Sequence, residues 1–361
     1  MKKMACAGLL LSALSAGAHA QSGVTLYGLI SSGVSYISNT NGSSAVKLDS
    51  GVNQVNRFGL RGTEDLGGGL RAVFNLESGF DLGSGKLNNG GALFGRRANV
   101  GLSSDTYGTL TLGRDYDFIY DYVSFYTNVA QFAPSYSFHL SYDIDRYAGE
   151  PMSNTIKYQS PKIGGVSVGL MYGFSNVPGQ FAGAPGNPRF YSAGFSYDPG
   201  RGAPFTFAGA FTKTDGLGGT LAQIVLNAPT IETAAFGARA VFGAASVNAN
   251  YSYTNATTVT GAAIITRIYE AGFLYQFTPA FSTGVGYTFI DQNIGKYHMV
   301  SAGADYRFTK RTDVYLMGTW QHAFAGAKQA GNFVVVTPGT TNGYSSTPNQ
   351  LAVQLGIRHL F

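Results

Sequence analysis

Apolar and polar residues alternate one by one through long stretches of the chain. In the segment RIYEAGFLYQFT, Tyr269, Phe273 and Phe277 share one face. Glu270 and Gln276 lie on the other face. Because successive side chains of a strand point to opposite faces, this period of two predicts strands whose faces lie in different surroundings. The tail NQLAVQLGIRHLF follows the same pattern and ends on an aromatic residue.

Sixteen such segments can be distinguished, with starts predicted to within a few residues. They begin near residues 24, 54, 69, 93, 108, 153, 166, 190, 205, 233, 245, 267, 281, 296, 312 and 349. Short turns such as SDTYG and FTPA alternate with longer loops, at residues 117–152, 176–189, 215–232 and 325–348. An even number of strands, with short turns at one rim and long loops at the other, is typical of bacterial outer-membrane barrels. We therefore predict an all-β fold, a transmembrane antiparallel β-barrel of about 16 strands.

A soluble β-sandwich is the alternative fold, because its strands also alternate. A sandwich does not predict the regular change between short turns and long loops, or an aromatic residue at the very end. A barrel closes its sheet, which matters in lipid because an open edge leaves backbone groups without hydrogen bonds. The tail is then the last strand, expected to pair with the first, VTLYGLISSGVSY.

The N-terminus, MKKMACAGLLLSALSAGAHAQ, has a basic start, a short apolar stretch and the small-residue motif AHA. This is the pattern of a cleaved export signal, and its apolar part is too short to span a membrane as a helix. We predict a signal peptide at residues 1–20 and one barrel domain at residues 21–361. Cys6 is the only cysteine of the sequence, so the mature chain is expected to lack disulfides and cysteine metal sites.

The composition argues against several classes of function. Charged residues make up 12% of the chain, about half the share usual in soluble domains. The formal charge of +5 is not gathered into a basic run, so nucleic acid is not an expected partner. No hydrolase motif surrounds the histidines and no phosphate-binding loop is present, so we predict neither an enzyme nor a cofactor or metal.

The segments NRFGLRGTEDLGGGLRAVFNLESGF and FGRRANVGLSSDTYGTLTLGRDYD, together with Phe361, resemble the trimeric general porins of Gram-negative bacteria. The likeness is greatest to the beta-proteobacterial branch and covers essentially the whole mature chain. It implies a homotrimer in the cell outer membrane that passes small hydrophilic solutes and inorganic anions by diffusion. It also implies that the barrel-assembly machinery reads the terminal Phe361. Contacts with outer-membrane lipid and lipopolysaccharide are expected at the rim.

The connection at residues 117–152 is the longest in the first half of the chain. Its length alone also fits a surface loop. The resemblance implies instead that this third loop folds into the barrel and narrows the channel. Of its acidic residues, we expect Asp117 or Asp121 on the pore side.

Strand parity predicts which charged residues line the channel. The apolar residues of NRFGLRGTE face lipid, so Arg57 and Arg61 face the lumen. The next strand places Arg71 and Glu77 inside by the same reasoning. An arginine facing lipid at the membrane midplane would cost ~2–4 kcal/mol, which gives the parity a physical basis.

The adjacent Arg96 and Arg97 pose a choice, because a regular strand points only one of them inward. Parity with Val100 favours Arg97. The family pattern favours the first arginine, with an outward aromatic residue three positions later, where this chain has Asn99. We predict Arg96 as the residue facing the pore.

The resemblance implies three arginines at the constriction, matching Arg57, Arg96 and Arg146 here. It also implies an acidic residue in the same zone, matching Glu77, and an arginine at the base of the third loop, matching Arg114. Fixed cations in a narrow aperture attract anions over a range of ~8 Å at physiological ionic strength. A weak anion preference is therefore expected.

Two other functions stay open at this point. A sugar-selective porin would need aromatic side chains facing the lumen, and the long loop contains candidates. These are Tyr116, Tyr120, Tyr122, Phe125 and Tyr126. A non-conducting structural or adhesive barrel is the other alternative.

Overall fold

The computed structural model describes residues 23–140, 142–175, 189–200, 202–217, 219–331, 335–337 and 340–361. The predicted signal peptide at residues 1–20 lies outside the described residues. Most of the predicted loop at residues 176–189 also lies outside them.

Regular structure in the described chain is almost wholly β-strand. The strands are β1 (Gly23–Thr40), β2 (Ser43–Ser50), β3 (Arg57–Gly67), β4 (Leu70–Gly79), β5 (Arg97–Ser104), β6 (Gly108–Asp115), β7 (Met152–Gln159), β8 (Val166–Gly173), β9 (Arg189–Tyr197), β10 (Phe205–Asp215), β11 (Thr230–Phe242), β12 (Ala245–Thr257), β13 (Ala263–Gln276), β14 (Phe281–Gln292), β15 (Gly295–Arg307), β16 (Thr312–Phe324), β17 (Val335–Thr337), β18 (Thr340–Asn342) and β19 (Asn349–Leu360). Short helical segments lie in the connections, at Asn89–Gly91, Ile119–Val123, Ser124–Tyr126, Asn128–Gln131, Ser135–Ser137 and Leu221–Leu226. Among the described residues, no helix has the length and apolar character needed to cross a membrane.

The strands form one closed antiparallel barrel. β2 and β3 lie along the same edge of β1, with β2 beside its second half and β3 beside its first half. They therefore occupy a single strand position of the barrel, with an interruption between them. Each strand position of the barrel is called a stave below. Seventeen strands of the described chain make up the sheet, and counting β2 and β3 as one gives sixteen staves, as predicted. β17 and β18 form a separate hairpin.

The predicted strand starts agree closely with these staves. The largest differences among the uninterrupted strands are at β5 and β13, which begin at Arg97 and Ala263 rather than near residues 93 and 267. The second stave begins at Ser43, well before the predicted start near residue 54. Residues 51–56 break the alternation between β2 and β3. The sequence pattern therefore did not reveal β2 as the first half of this stave.

The tail closes the barrel, as predicted. β19 pairs with β1 from Leu360 opposite Leu29 onward. Phe361 and Gly28 exchange two backbone hydrogen bonds of 3.1 Å each. Leu355 is 62% exposed on the outer face, whereas Gln354 is fully buried on the inner one.

The long connection between β6 and β7, residues 116–151, folds into the barrel and is called the constriction loop below. Its rings Phe118 and Tyr122 form an apolar cluster with wall residues, including Phe190 of β9 and Ala208 of β10. A second cluster joins Ile144 of the loop to the wall near β11. The hydrophobic core therefore lies between the loop and the inner wall, and the expectation of an inward loop is confirmed.

Glycines on the inner wall make this close packing possible. A Cβ at Gly194 would lie 2.7 Å from Cβ of Phe118, and one at Gly237 would lie 2.7 Å from Cβ of Tyr126. Carbon atoms do not approach so closely, so any larger residue would displace the loop or the wall.

Candidate pore constriction

The first charged cluster forms where β3, β4 and β5 meet the constriction loop. Arg57 begins β3, Glu77 lies near the end of β4, and Arg96 directly precedes β5. Nε of Arg96 is 2.6 Å from Oε1 of Glu77, and Nε of Arg57 is 3.8 Å from Oε2 of the same carboxylate. The structure therefore brings together three of the predicted residues, and one carboxylate is shared by two guanidinium groups.

Glu77 also accepts a hydrogen bond from Tyr27. The Tyr27 hydroxyl is 3.0 Å from Oε2 of Glu77 and 2.9 Å from the amide oxygen of Asn75. The side chain of Arg57 is 26% exposed, against 9% for Arg96 and 8% for Glu77. Arg57 is thus the member of this cluster that is most open to the lumen.

Both Arg96 and Arg97 turn inward, so the choice of only one was wrong. Arg97 starts the regular strand and lies opposite Glu77 on the inner face. Arg96 precedes the strand, and its backbone N–H donates to the Glu77 carbonyl at 3.1 Å. Since it lies outside the regular strand, the period-two rule does not apply to it. Both guanidinium groups lie over the ring of Tyr116, at 5.4 and 4.9 Å.

A second charged cluster ties the start of the constriction loop to β5 and β7. One end of the Arg97 guanidinium pairs with Asp121 at 2.6 Å and the other pairs with Asp115. Lys157 also pairs with Asp121. The side chain of Asp121 is 20% exposed, so this acid faces the lumen side of the loop as expected. Sequence reasoning missed Lys157, although the alternation in MSNTIKYQ puts it opposite the apolar Ile156.

Asp117 and Arg146 do not face the lumen. Of the two alternatives Asp117 and Asp121, Asp121 is the one on the lumen side, and the expected placement of Arg146 is corrected. Nε of Arg146 is 2.7 Å from Oδ2 of Asp117, and the two side chains are 5% and 0% exposed. Thr212 of β10 donates to the same carboxylate oxygen at 3.1 Å. The pair joins the two ends of the constriction loop to each other and to the wall. Strand parity gave no guidance here because both residues belong to the loop.

Arg114 lies on the outer face of the barrel, which corrects its placement at the constriction. It pairs with Ala98 in register, and Leu112 on the same face is 49% exposed. Its guanidinium donates to the Gly95 carbonyl and to the Ser153 hydroxyl, each at 2.7 Å.

Arg61 and Arg71 are inside the barrel but away from the constriction. Arg71 lies six residues before Glu77 on β4, which is about 20 Å along a strand. It pairs with Asp105 at 2.6 Å in the turn after β5. Arg61 lies four residues after Arg57 on β3, over the ring of Tyr27 at 5.3 Å.

A further group of arginines lines the lumen at the turn side of the constriction loop. Arg239, Arg307 and Arg358 border one cavity there, from β11, β15 and β19. Arg358 pairs with Asp313 at 2.9 Å, and Arg307 is 3.4 Å from Asp305. Strand parity places all three on the inner face, whereas the residues that the resemblance implies lie in the first strands and the long loop.

Arg239 differs from the other two arginines. In the described part of the chain it makes no ion pair, and its Nε is buried without a hydrogen-bond partner. It also borders the neighbouring cavity that contains Asp121 and Gln131. Its charge is therefore the one in this group that no carboxylate balances by direct contact, although Asp121 and Asp198 border the same cavity.

Among the residues that the structure describes, no group of three or more His, Cys, Asp or Glu side chains is arranged to hold a metal ion. The chemistry available at the constriction is that of fixed charges beside a water-filled passage.

A model of the Gram-negative porin family matches residues 5–323. Outer membrane porin protein 32 of Delftia acidovorans is 31% identical over 372 aligned residues, which cover 100% of both chains. Major outer membrane protein P.IB of Neisseria meningitidis serogroup B is 29% identical, over 89% of this chain and 93% of that protein. An outer membrane porin protein of Bordetella pertussis is 35% identical, but the match spans about half of each chain, 48% and 49%.

Solved structures also resemble this chain. An anion-selective porin from Comamonas acidovorans superposes with a TM-score of 0.77 at 27% identity, over 94% of this chain and 100% of that chain. A structure of OmpF from Salmonella typhi has a TM-score of 0.65 at 20% identity, over 94% and 97%, and shares the fold.

Proposed function

The chain belongs to the Gram-negative porin family, and from this premise we propose that its pore passes small hydrophilic solutes with a weak preference for anions. It is an outer-membrane β-barrel through which solutes move by passive diffusion. The observation that carries the anion preference is an excess of cations over carboxylates among the charged side chains at the constriction and on the turn side of the loop.

The excess is visible at the constriction itself. Four cations and three carboxylates contact one another there, namely Arg57, Arg96, Arg97 and Lys157 with Glu77, Asp115 and Asp121. The buried Asp117–Arg146 pair adds no net charge. Arg239 adds a further cation below the loop. The anion-selective porin from Comamonas acidovorans, with which the chain superposes, supports the same sign.

The excess is small, so the preference is weak. Most cations contact a carboxylate. The net field therefore comes from about one positive charge at the constriction and about one, that of Arg239, on the turn side of the loop. Such a field raises the local concentration of anions and lowers that of cations within ~8 Å of the wall. Conduction also requires that solutes leave readily, which a site without a tight binding pocket permits.

We predict that removing Arg57 lowers the anion preference and that neutralising Glu77 raises it. A unit charge ~8 Å from an ion in water contributes roughly 0.5 kcal/mol, and salt screening over one Debye length reduces this to about 0.2 kcal/mol. Because the contribution has opposite signs for anions and cations, each change should alter the anion-to-cation permeability ratio about twofold. The measurement is the zero-current potential across a planar bilayer under a KCl gradient, for Arg57→Ser and for Glu77→Gln. Arg239→Gln should lower the ratio as Arg57→Ser does.

Arg71→Ser is the matched control for this experiment. Arg71 also lies in the lumen, but it is paired with Asp105 at the turns and away from the aperture. Its removal should leave the potential nearly unchanged. A cation preference in the unaltered protein, or equal potentials for the Arg57 and Glu77 variants, would refute the proposed assignment.

The sugar-selective alternative receives little support from the constriction loop. Of the five aromatic candidates, Tyr116, Tyr122 and Tyr126 are buried against the wall, whereas Phe125 is 62% exposed. Tyr120 is half-buried and stacks on Tyr116 with 4.1 Å between the ring centroids. One exposed ring and one half-buried ring do not form a track for sugars. The matched family is one of channels and not of enzymes, and we propose that the chain catalyses no reaction. A non-conducting structural or adhesive role would require a blocked pore.

We also propose partners for the assembled protein. They are two further copies in a homotrimer, outer-membrane lipid and lipopolysaccharide around the barrel, and the barrel-assembly machinery during insertion. Residues 1–20 would act as the export signal.

Phe361→Ala is expected to reduce the amount of assembled, heat-modifiable trimer in outer membranes, because Phe361 would be part of the signal read during insertion. Quantitative electrophoresis of unheated and heated membranes measures this. Undiminished assembly would contradict the role of Phe361, and a native monomer would contradict the trimer.

A further inference from the structure

The far end of the constriction loop is attached to the opposite wall through a buried histidine. Nδ1 of His139 contacts Oδ2 of Asp145 within the loop. Nε2 of His139 lies 3.3 Å from Oε2 of Glu270, on β13. All three side chains are at most 3% exposed. We call this group the His139 cluster.

Glu270 gathers further contacts from both the loop and the wall. Its Oε1 accepts the backbone N–H of Asn128 at 2.7 Å and the Asn250 amide at 2.7 Å. Its Oε2 accepts the Thr288 hydroxyl at 2.9 Å. One wall carboxylate therefore holds two separate points of the loop, at residues 128 and 139.

The arrangement fits an imidazole that is protonated on both nitrogens. Each ring nitrogen of His139 faces a carboxylate oxygen, and a neutral imidazole can donate from only one nitrogen. Its other nitrogen would present a lone pair to a carboxylate, which is repulsive. The imidazolium form donates to both Asp145 and Glu270.

The segment between the two attachments of the loop forms one side of the aperture. Tyr120, Ser124 and Phe125 border the same cavity as Arg57 and Arg96. The Asp117–Arg146 pair holds one end of this segment and the His139 cluster holds the other. Loss of either attachment would let the segment move relative to the arginines.

We propose that His139 is a positioning residue that, through Asp145 and Glu270, fixes the constriction loop on β13 and so sets the aperture of the pore. The inference rests on the proposed channel function, but it concerns the size of the pore and the fluctuation of its open-channel current rather than charge preference. It needs no ligand, because every group involved belongs to the chain.

A dependence on pH follows from the cluster. The two carboxylates raise the pKa of His139 to about 10, although burial acts in the opposite direction. Because this pKa is raised, the attachment is fully present below the ordinary histidine value of about 6.5 and is lost as the pH rises through about 10. The groups that face the ring are Asp145 and Tyr147 of the loop and Glu270 of the wall.

The test compares single-channel conductance and open-channel current noise from about pH 7 to about pH 11. The unaltered protein should be quiet near neutrality and become noisier, with larger conductance, as His139 loses its proton. His139→Gln can satisfy only one carboxylate with its amide donors. It should be noisy already at neutral pH and lack the alkaline step.

His322→Gln is the matched control. Its imidazole contacts Asn349 at 2.9 Å, away from the constriction loop, and its loss should leave conductance and its pH profile unchanged. Glu270→Gln removes the wall charge and should also increase the noise at neutral pH. It provides a second variant if His139→Gln does not assemble.

Quiet currents in both cluster variants, with the alkaline profile of the unaltered protein, would overturn the proposal. An equal change in the His322 variant would also overturn it. The zero-current potential measured on the same channels tests the charge preference separately, so failure of one idea is distinguishable from failure of the other.

Discussion

Replacing Arg146 by alanine is expected to destabilise the folded position of the constriction loop by about 3–5 kcal/mol, the usual effect of removing one partner from a buried ion pair. Asp117 would keep its charge in a site where its side chain is 0% exposed. Its remaining contacts are the Thr212 hydroxyl at 3.1 Å and the backbone N–H of Tyr120 at 2.9 Å. These two hydrogen bonds do not compensate for the loss of the positive charge that stabilises the Asp117 carboxylate.

Nearby Asp143 is not the main counter-charge of Arg146. Burial raises the pKa of Asp143 to about 8, despite the opposing effect of Arg146. At neutral pH this carboxyl is therefore mostly protonated, and Asp117 is the principal balance for Arg146. Removing Arg146 should consequently act through Asp117.

Amide hydrogen exchange over residues 117–151 measures this effect, since a displaced loop loses protection while the strands keep theirs. Arg307→Ala is the control. Arg307 also pairs with a carboxylate, Asp305 at 3.4 Å, but its side chain is half exposed, so its removal leaves no deeply buried charge unpaired. The double variant Asp117→Asn with Arg146→Met removes both charges of this buried pair and should restore most of the protection. A double variant as exposed as the single one would show that the ion pair is not the cause.

The second large effect is expected from Gly237→Val. A Cβ at this position would lie 2.7 Å from Cβ and Cδ2 of Tyr126, so the valine pushes the loop away from β11. Overfilling a well-packed interior costs typically ~1–3 kcal/mol. We expect the loop to move toward the centre of the lumen, which narrows the aperture and lowers the single-channel conductance.

Ala238→Val is the matched control, since residue 238 is adjacent on β11 but points to the outside. It pairs in register with Phe207 of β10 and Ala249 of β12. The single-channel conductance of the Ala238→Val variant should equal that of the unaltered protein. A Gly237 variant with normal conductance and normal exclusion of larger sugars would show that the loop does not depend on this glycine.

Period-two alternation predicted the barrel and the two inward arginines of β3 because each strand has water on one side and lipid on the other. The rule works residue by residue wherever the strand is regular, as at Arg57 and Glu77. It also contained the correct answer for Arg114, whose neighbours Leu110 and Leu112 are outward. Arg114 was instead assigned to the constriction from the resemblance alone, and that placement was wrong.

The contacts of the constriction loop were beyond reach of the sequence pattern. Arg146 meets Asp117, and His139 meets Glu270, through folding of a segment that has no repeating period. The double inward turn at Arg96 and Arg97 was missed for a related reason, because the strand starts between them. Contacts of this kind depend on the shape of the inner wall, which no local pattern encodes.

The glycines beneath the loop have a consequence for the order of events during biogenesis. The loop is contributed by the chain between β6 and β7, yet it rests on Gly194 of β9, Gly237 of β11 and Gly303 of β15. Contacts between such distant parts of a chain form late, since the intervening segments must first be brought together. A nascent barrel without its later staves has no complete seat for the loop. We therefore expect the constriction loop to reach its final position only after these later strands have joined the barrel.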